Sequence, residues 1–203
     1  MIVELDGDAA LAAALAGLVA DEQARAAVLA PARQLGFVAG RAALRHALGE
    51  PAHGVALGSN DRGAPIVPAG WVGSLSHKAR LAAALVAPAG DAHIGGDLER
   101  AAPPKTDIAR RVLTPRELAT LPPADDVEAR GRAVTLPFSI KEAVYKAIDP
   151  YVRRYVGFLE VELDFAADDP DQVRVTSALP LAIEATWREH AGHWLTTARA
   201  RKA

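Results

Sequence analysis

The chain of 203 residues contains no cysteine. A disulfide framework, a thiolate metal site and a cysteine nucleophile are therefore excluded. Long hydrophobic runs are also missing. Half of the residues are apolar, but many are alanine, and the runs are short and broken by Gly, Pro or charge. None approaches the roughly 20 residues needed to span a bilayer, so no membrane partner is expected. Nor does one sign of charge dominate, since 23 Lys and Arg stand against 25 Asp and Glu and leave a formal net charge of -2. A general nucleic-acid binder would show a strongly basic domain, so any anion binding must come from local clusters. The opening MIVELDGDAA carries acids where a secretory signal would carry lysines, and a cytoplasmic location is the expectation. There is no internal repeat and no low-complexity tract beyond alanine richness.

What is there reads as mixed helix and strand. IVEL has the pattern of a short strand, and DAALAAALAGLVA that of a helix capped by Asp8. A second helix over PARQLGFVAGRAALRHAL enters at Pro31 and ends near Gly49. From Gly54 to Gly73 the Gly- and Pro-rich chain reads as irregular loop. LAAALVA and AHIGGDLE follow as adjacent strands joined by the turn PAGD. Thr114-Pro-Arg-Glu117 has the form of a capping box within a helical segment. SIKEAVYKAI is a further helix with Ser139 as its cap, and LEVELDF, QVRVTS, LAIEATW and HWLTTAR are strands. The pattern predicts an α+β protein of two comparable halves, divided as 1–98 and 99–203.

Four stretches carry candidate chemistry. On a strand, Asp97 and Glu99 project from one face about 7 Å apart. Two hard oxygen ligands suit Mg²⁺ better than zinc, although a D-x-E pair also reads as a solvated strand end. The glycines before them allow a close backbone approach of the kind a ligand-facing strand requires. Glu142 and Lys146, four apart, share a helix face as an ordinary ion pair would. Glu142 also occupies the third position after Ser139 expected in a capping box. In the functional alternative Glu142 is a third carboxylate, joining a metal or taking a proton, with Lys141 and Lys146 near for phosphate charge. GSLSHKARL, 73 to 81, reads as a turn whose amides, hydroxyls and imidazole suit a phosphate. It lacks the G-x-S-x-G form of a hydrolase elbow. Arg33 and Arg41 fall within about 80° of each other on their helix, Arg45 continues the stripe, and Arg62 lies in the loop. They read either as a solvated face or as a guanidinium cluster for phosphate.

The order of these pieces along the chain resembles the Sfp/EntD-type 4′-phosphopantetheinyl transferases. The series is G-R-x-x-x-R, R-G-x-P-x-x-P-x-G, G-S-x-S-H-K, I-G-x-D-x-E and F-S-x-K-E-A-x-Y-K-A. It runs from about Arg33 to Pro150, and RRYVGFLEVEL is similar to the family's continuation. The resemblance implies two similar α+β halves packed as a pseudo-dimer with the active site in the cleft between them. It implies transfer of the phosphopantetheine arm of coenzyme A to a serine of an acyl or peptidyl carrier protein, releasing 3′,5′-ADP. Asp97, Glu99 and Glu142 would hold Mg²⁺, with Mn²⁺ as the substitute ion, and Glu142 would also be the base for the carrier serine. Lys146 would offset charge on the leaving phosphate, with Asp97 and Glu142 completing the catalytic set. Lys141, Ser76, His77, Arg33, Arg41 and Arg62 would contact CoA phosphates. The family serves fatty-acid, polyketide, peptide and siderophore synthases, and its usual behaviour implies a monomer. Two positions depart from the family pattern. Gly96 stands where a branched aliphatic is usual, which would loosen the metal-bearing strand, and Val67 stands where Trp is usual. Neither removes a charged group, so the expectation is an active enzyme. The alternative is a CoA- or carrier-binding module without catalysis.

Overall fold

Proline at the first turn and glycine just past the last bound the long helix of the N-terminal half as the sequence predicts. In the computed structural model, which describes residues 1–165 and 172–203, this helix is α3 (Pro31–Leu48). The chain divides into two compact units, Met1–Gly90 and Asp91–Ala203. The first holds α1 (Gly7–Ala16), α2 (Ala20–Ala27), α3 and an antiparallel sheet of β1 (Ile2–Glu4), β2 (Trp71–Lys78) and β3 (Leu81–Pro88), in the order β1-β3-β2. Val38, Ala39, Ala43 and Leu44 of α3 pack with Leu57, Ala82 and Ala84 to form its core. Asp8 lies in the first turn of α1 and does not cap it. The cap position belongs to Asp6, whose side chain makes no capping bond.

The second unit is built on a five-stranded antiparallel sheet in the order β4-β8-β7-β6-β5. Its strands are β4 (Ala92–Arg100), β5 (Val161–Phe165), β6 (Gln172–Ser177), β7 (Leu181–His190) and β8 (His193–Lys202). Short helices α4 (Ala109–Val112) and α5 (Pro115–Ala119) precede α6 (Val127–Val152), which lies across β4 and β8. Its core joins Ile140, Val144 and Ile148 of α6 to Val161, Leu163, Ala198 and Ala200 of the sheet. Both units are thus α+β. The capping box at Thr114 and Glu117 forms as expected.

Four local expectations change. GSLSHK is strand, not turn: it completes β2, and the chain reverses at Ala79, whose φ is +51°. Small polar residues in alternation mimic a turn in composition while keeping the period of a strand. LAAALVA and AHIGGDLE are consecutive but belong to different sheets. β4 pairs with β8 along its whole length, from Ala92 opposite Arg201 to Arg100 opposite His193. The division between units therefore falls before β4 and not after residue 98. Finally, α6 begins at Val127, where the Asp126 side chain accepts from the amide of Ala129. It runs through Pro137, so Ser139 is interior and buried.

Candidate active site

Strand alternation turns Gly95, Asp97 and Glu99 of β4 to one face, and α6 lies against that face. Gly95 is where the two elements come closest. A Cβ there would meet the carbonyl of Ala143 and stand 2.7 Å from the amide nitrogen of Ala147. The close approach that glycine permits is to the helix, and it sits at Gly95. By alternation Gly96 faces the other way, and β4 keeps an unbroken register with β8 on both sides of it.

This approach seats Asp97 among side chains of α6. Its Oδ1 accepts from Lys146 Nζ at 2.7 Å, and its Oδ2 accepts from Ser139 Oγ at 2.9 Å. Lys146 also donates to the Gly96 carbonyl at 2.9 Å, which leaves one ammonium proton for another acceptor. Thr196 of β8 stands 3.0 Å from Ser139 Oγ and donates to the Ser139 carbonyl at 2.9 Å. Ser139, braced by Thr196, thus holds Asp97, whereas the sequence predicts Ser139 as a helix cap. Nothing in the local pattern marked it, because the partners lie 42 and 57 residues away.

Glu142 is one turn from Lys146 on the same helix and makes no hydrogen bond among the described residues. Burial raises its pKa most, the negative charge of Asp97 raises it further, Lys146 opposes, and Glu99 adds to the rise. Its neighbour Asp97 is nearly buried, while Glu99 is half-exposed and accepts from the amide of Arg100 at 2.7 Å. Among the described residues no group of three His, Cys, Asp or Glu side chains stands in a ready metal-holding arrangement. The donor set itself fits a hard divalent ion. Three neighbouring carboxylates, one of them pushed toward its neutral form first by burial and then by the charges of the other two, are what a cation would relieve. Beside Glu142 an open cavity of about 210 Å³ is lined by Lys141, Tyr145, Tyr155, Val156, Gly157, Phe158 and Val161, among others.

Lys141 does not occupy the place expected for a phosphate ligand. Its side chain is 1% exposed, and the ammonium donates to Glu117 Oε2 at 2.7 Å, the Val112 carbonyl at 2.8 Å and the Phe158 carbonyl at 3.2 Å. All three of its protons are used. Burial lowers its pKa, against the opposing pull of Glu117.

In the first unit Arg41 is also turned inward. Its guanidinium donates to the Gly58 carbonyl at 3.1 Å and Ser59 Oγ at 3.0 Å, and lies 4.7 Å over the Phe37 ring. Arg45 pairs with buried Glu22 at 2.8 Å and donates to the carbonyls of Ala52 and Val55. Both arginines thus anchor the loop after α3. They form neither a solvated stripe nor an open cluster, which needs the tertiary contact with Glu22 and the loop to be seen. Arg33 is exposed. Arg62 is exposed at a tight turn in which Asn60 Oδ1 accepts from the amides of Arg62 and Ala64. On β2 the imidazole of exposed His77 lies over Gly36 of α3, where a Cβ would stand 2.6 Å from its Cε1. Leu75 packs on Gly40 in the same way. Gly36 and Gly40 stand one helical turn apart on the face that seats the strand, a spacing present in the sequence that the sequence-based expectations do not use. Ser76 projects from the opposite face of β2. Val67 packs into the core beside Gly73.

Residues 93–198 match the model of the 4′-phosphopantetheinyl transferase superfamily, and residues 21–87 match that of the 4′-phosphopantetheinyl transferase N-terminal domain. The chain belongs to the 4′-phosphopantetheinyl transferase superfamily, whose enzymes transfer the phosphopantetheine arm of coenzyme A. Among solved structures it is similar to an ACPS–CoA complex from Chronobacterium ammoniagenes, 14% identical with a TM-score of 0.44, over 56% of this chain and 99% of that one. It is similar also to an apo-ACPS structure from the same organism, 14% identical with a TM-score of 0.42, over 55% of this chain and 96% of that one. No curated protein matches the chain. Among the described residues, no helix is long and apolar enough to cross a membrane.

Proposed function

We propose that this chain is an Sfp/EntD-type transferase that moves the 4′-phosphopantetheine arm of CoA to a serine hydroxyl of an acyl or peptidyl carrier protein, with Mg²⁺ and with 3′,5′-ADP as leaving group. The observation that carries this reading is the setting of Asp97, Glu142 and Lys146 where β4 meets α6. Asp97, Glu99 and Glu142 would hold the ion, which when bound supplies positive charge to the pyrophosphate oxygens. Glu142, a carboxylate whose pKa is raised by burial and by the charge of Asp97, is suited to take the proton of the carrier serine. The serine oxygen then bonds to the phosphorus of the arm as the bridging P–O bond to 3′,5′-ADP breaks. The free proton of Lys146 faces charge that gathers on the departing phosphate. In the first unit Arg62, Arg33, Ser76 and His77 would contact CoA phosphates. Arg41, buried against the loop, supports that reading only through its hold on Gly58 and Ser59.

The test is mass spectrometry of several apo carrier proteins incubated with the purified chain, CoA and Mg²⁺. A carrier should gain the mass of the arm, and the gain should disappear in Asp97→Ala and Glu142→Gln variants that retain their fold. No gain across fatty-acid, polyketide and peptide carriers would overturn the reading. A CoA- or carrier-binding module without catalysis is the second reading. It draws support from the engagement of both Asp97 oxygens by Ser139 and Lys146. It requires CoA binding without any mass gain.

A further inference from the structure

Lys141 is the largest fully buried side chain among the described residues, and its ion pair with Glu117 lies outside the chemistry derived above. Every polar atom of the pair is used. Glu117 Oε2 accepts from Lys141 and, at 2.7 Å, from the Thr114 amide, while Oε1 accepts from the Leu163 amide at 2.8 Å. Thr114 Oγ1 in turn donates to Glu162. The pair thereby ties the end of α4, the start of α5, the segment before β5 and β5 itself to one point on α6.

That point is the residue before Glu142. Successive residues on a helix differ by about 100° in direction. With Lys141 pinned inward at three acceptors, the direction of Glu142 is set as well. The same ammonium holds the carbonyl of Phe158, and Phe158 lines the cavity on which Glu142 opens. One buried cation therefore governs both the rotation of the helix that carries Glu142 and the position of the opposing wall. Stability alone is a poor reason to keep such a pair. Two desolvated charges of this kind can often be replaced by apolar side chains at no loss.

Resting on the transferase reading, we propose that Glu117 and Lys141 are positioning residues that orient Glu142 and the Phe158 wall, and that Lys141 does not touch CoA. The first test is the double variant Glu117→Leu/Lys141→Met, which removes both charges together and avoids leaving either one buried alone. Its melting temperature should stay within a few degrees of wild type. Its kcat for arm transfer should fall about 10- to 100-fold, the scale of a misplaced catalytic group, while the KM for CoA stays within about twofold. A folded double variant with wild-type kcat, or with its whole loss in the KM for CoA, overturns the proposal. The second test needs no variant. Native wild-type protein is treated with an amine-acylating reagent, with and without CoA, and mapped by mass spectrometry. Lys141 should stay unmodified in both samples while Lys146 is modified in the absence of CoA. Modification of Lys141 that CoA suppresses would overturn the proposal even if the double variant fails to fold. Wild-type turnover in the same assay separates a failure of this inference from a failure of the transferase reading.

Discussion

Burial first, then the charges of Asp97 and Glu99, raise the pKa of Glu142 above its ordinary 4.5, with Lys146 pulling against them. Between that ordinary value and the raised one the native state binds more protons than the unfolded chain, so stability falls as pH rises through the window. Above the window the cost of the ionised group stays in full. In metal-free buffer, Glu142→Gln should therefore melt higher than wild type near pH 7.5, and the gap should close as the pH is lowered toward 4.5. Melts of both proteins across that range decide it, and a gap independent of pH would contradict the electrostatic cause. Two glycines give further expectations at this scale. Gly36→Ala puts a methyl into the His77 imidazole, and it should raise the KM for CoA several-fold with little change in kcat. Gly95→Ala forces a methyl into the backbone of α6. It should cost about 3 kcal/mol in chemical denaturation, the upper range of overpacking.

At the scale of elements, α6 is the one on which the site depends, and its start was the hardest boundary to read. Pro137 beside Ser139 looks like a helix entry, since proline inside a helix costs about 3 kcal/mol. The helix continues upstream because Val134 and Thr135 are buried, Gly131 lies against Pro103, and Trp194 donates to Thr135. Asp126 is the real cap, so Asp126→Ala should lower stability by about 1 kcal/mol in urea titration. Ser139→Ala acts differently, because it removes the hydroxyl between Asp97 and Thr196. The same local signals succeeded at α3 and α5, where Pro31, Gly49 and the Thr114–Glu117 box agree with the tertiary packing.

For the whole molecule, ligands that bind only the native state must raise its melting temperature. CoA with Mg²⁺ at about 100 times its dissociation constant should add about 2.7 kcal/mol. Asp97→Ala should keep a shift with CoA alone and lose the increment due to Mg²⁺, measured by calorimetry. A near-neutral chain gives no global field to do this work, so the local groups must. The sequence alone determined the α+β class, the helix α3 and the strands of the second unit, and it singled out Asp97, Glu99 and Glu142 as candidates, because local periodicity, capping and motif order carry that information. It could not show that β4 pairs with β8, that Ser139 and Thr196 hold Asp97, or that Lys141 and Arg41 turn inward. Those outcomes depend on partners tens of residues away and on which charges lose their water. Only the tertiary structure brings those partners together, and only burial decides which cations are left for a ligand.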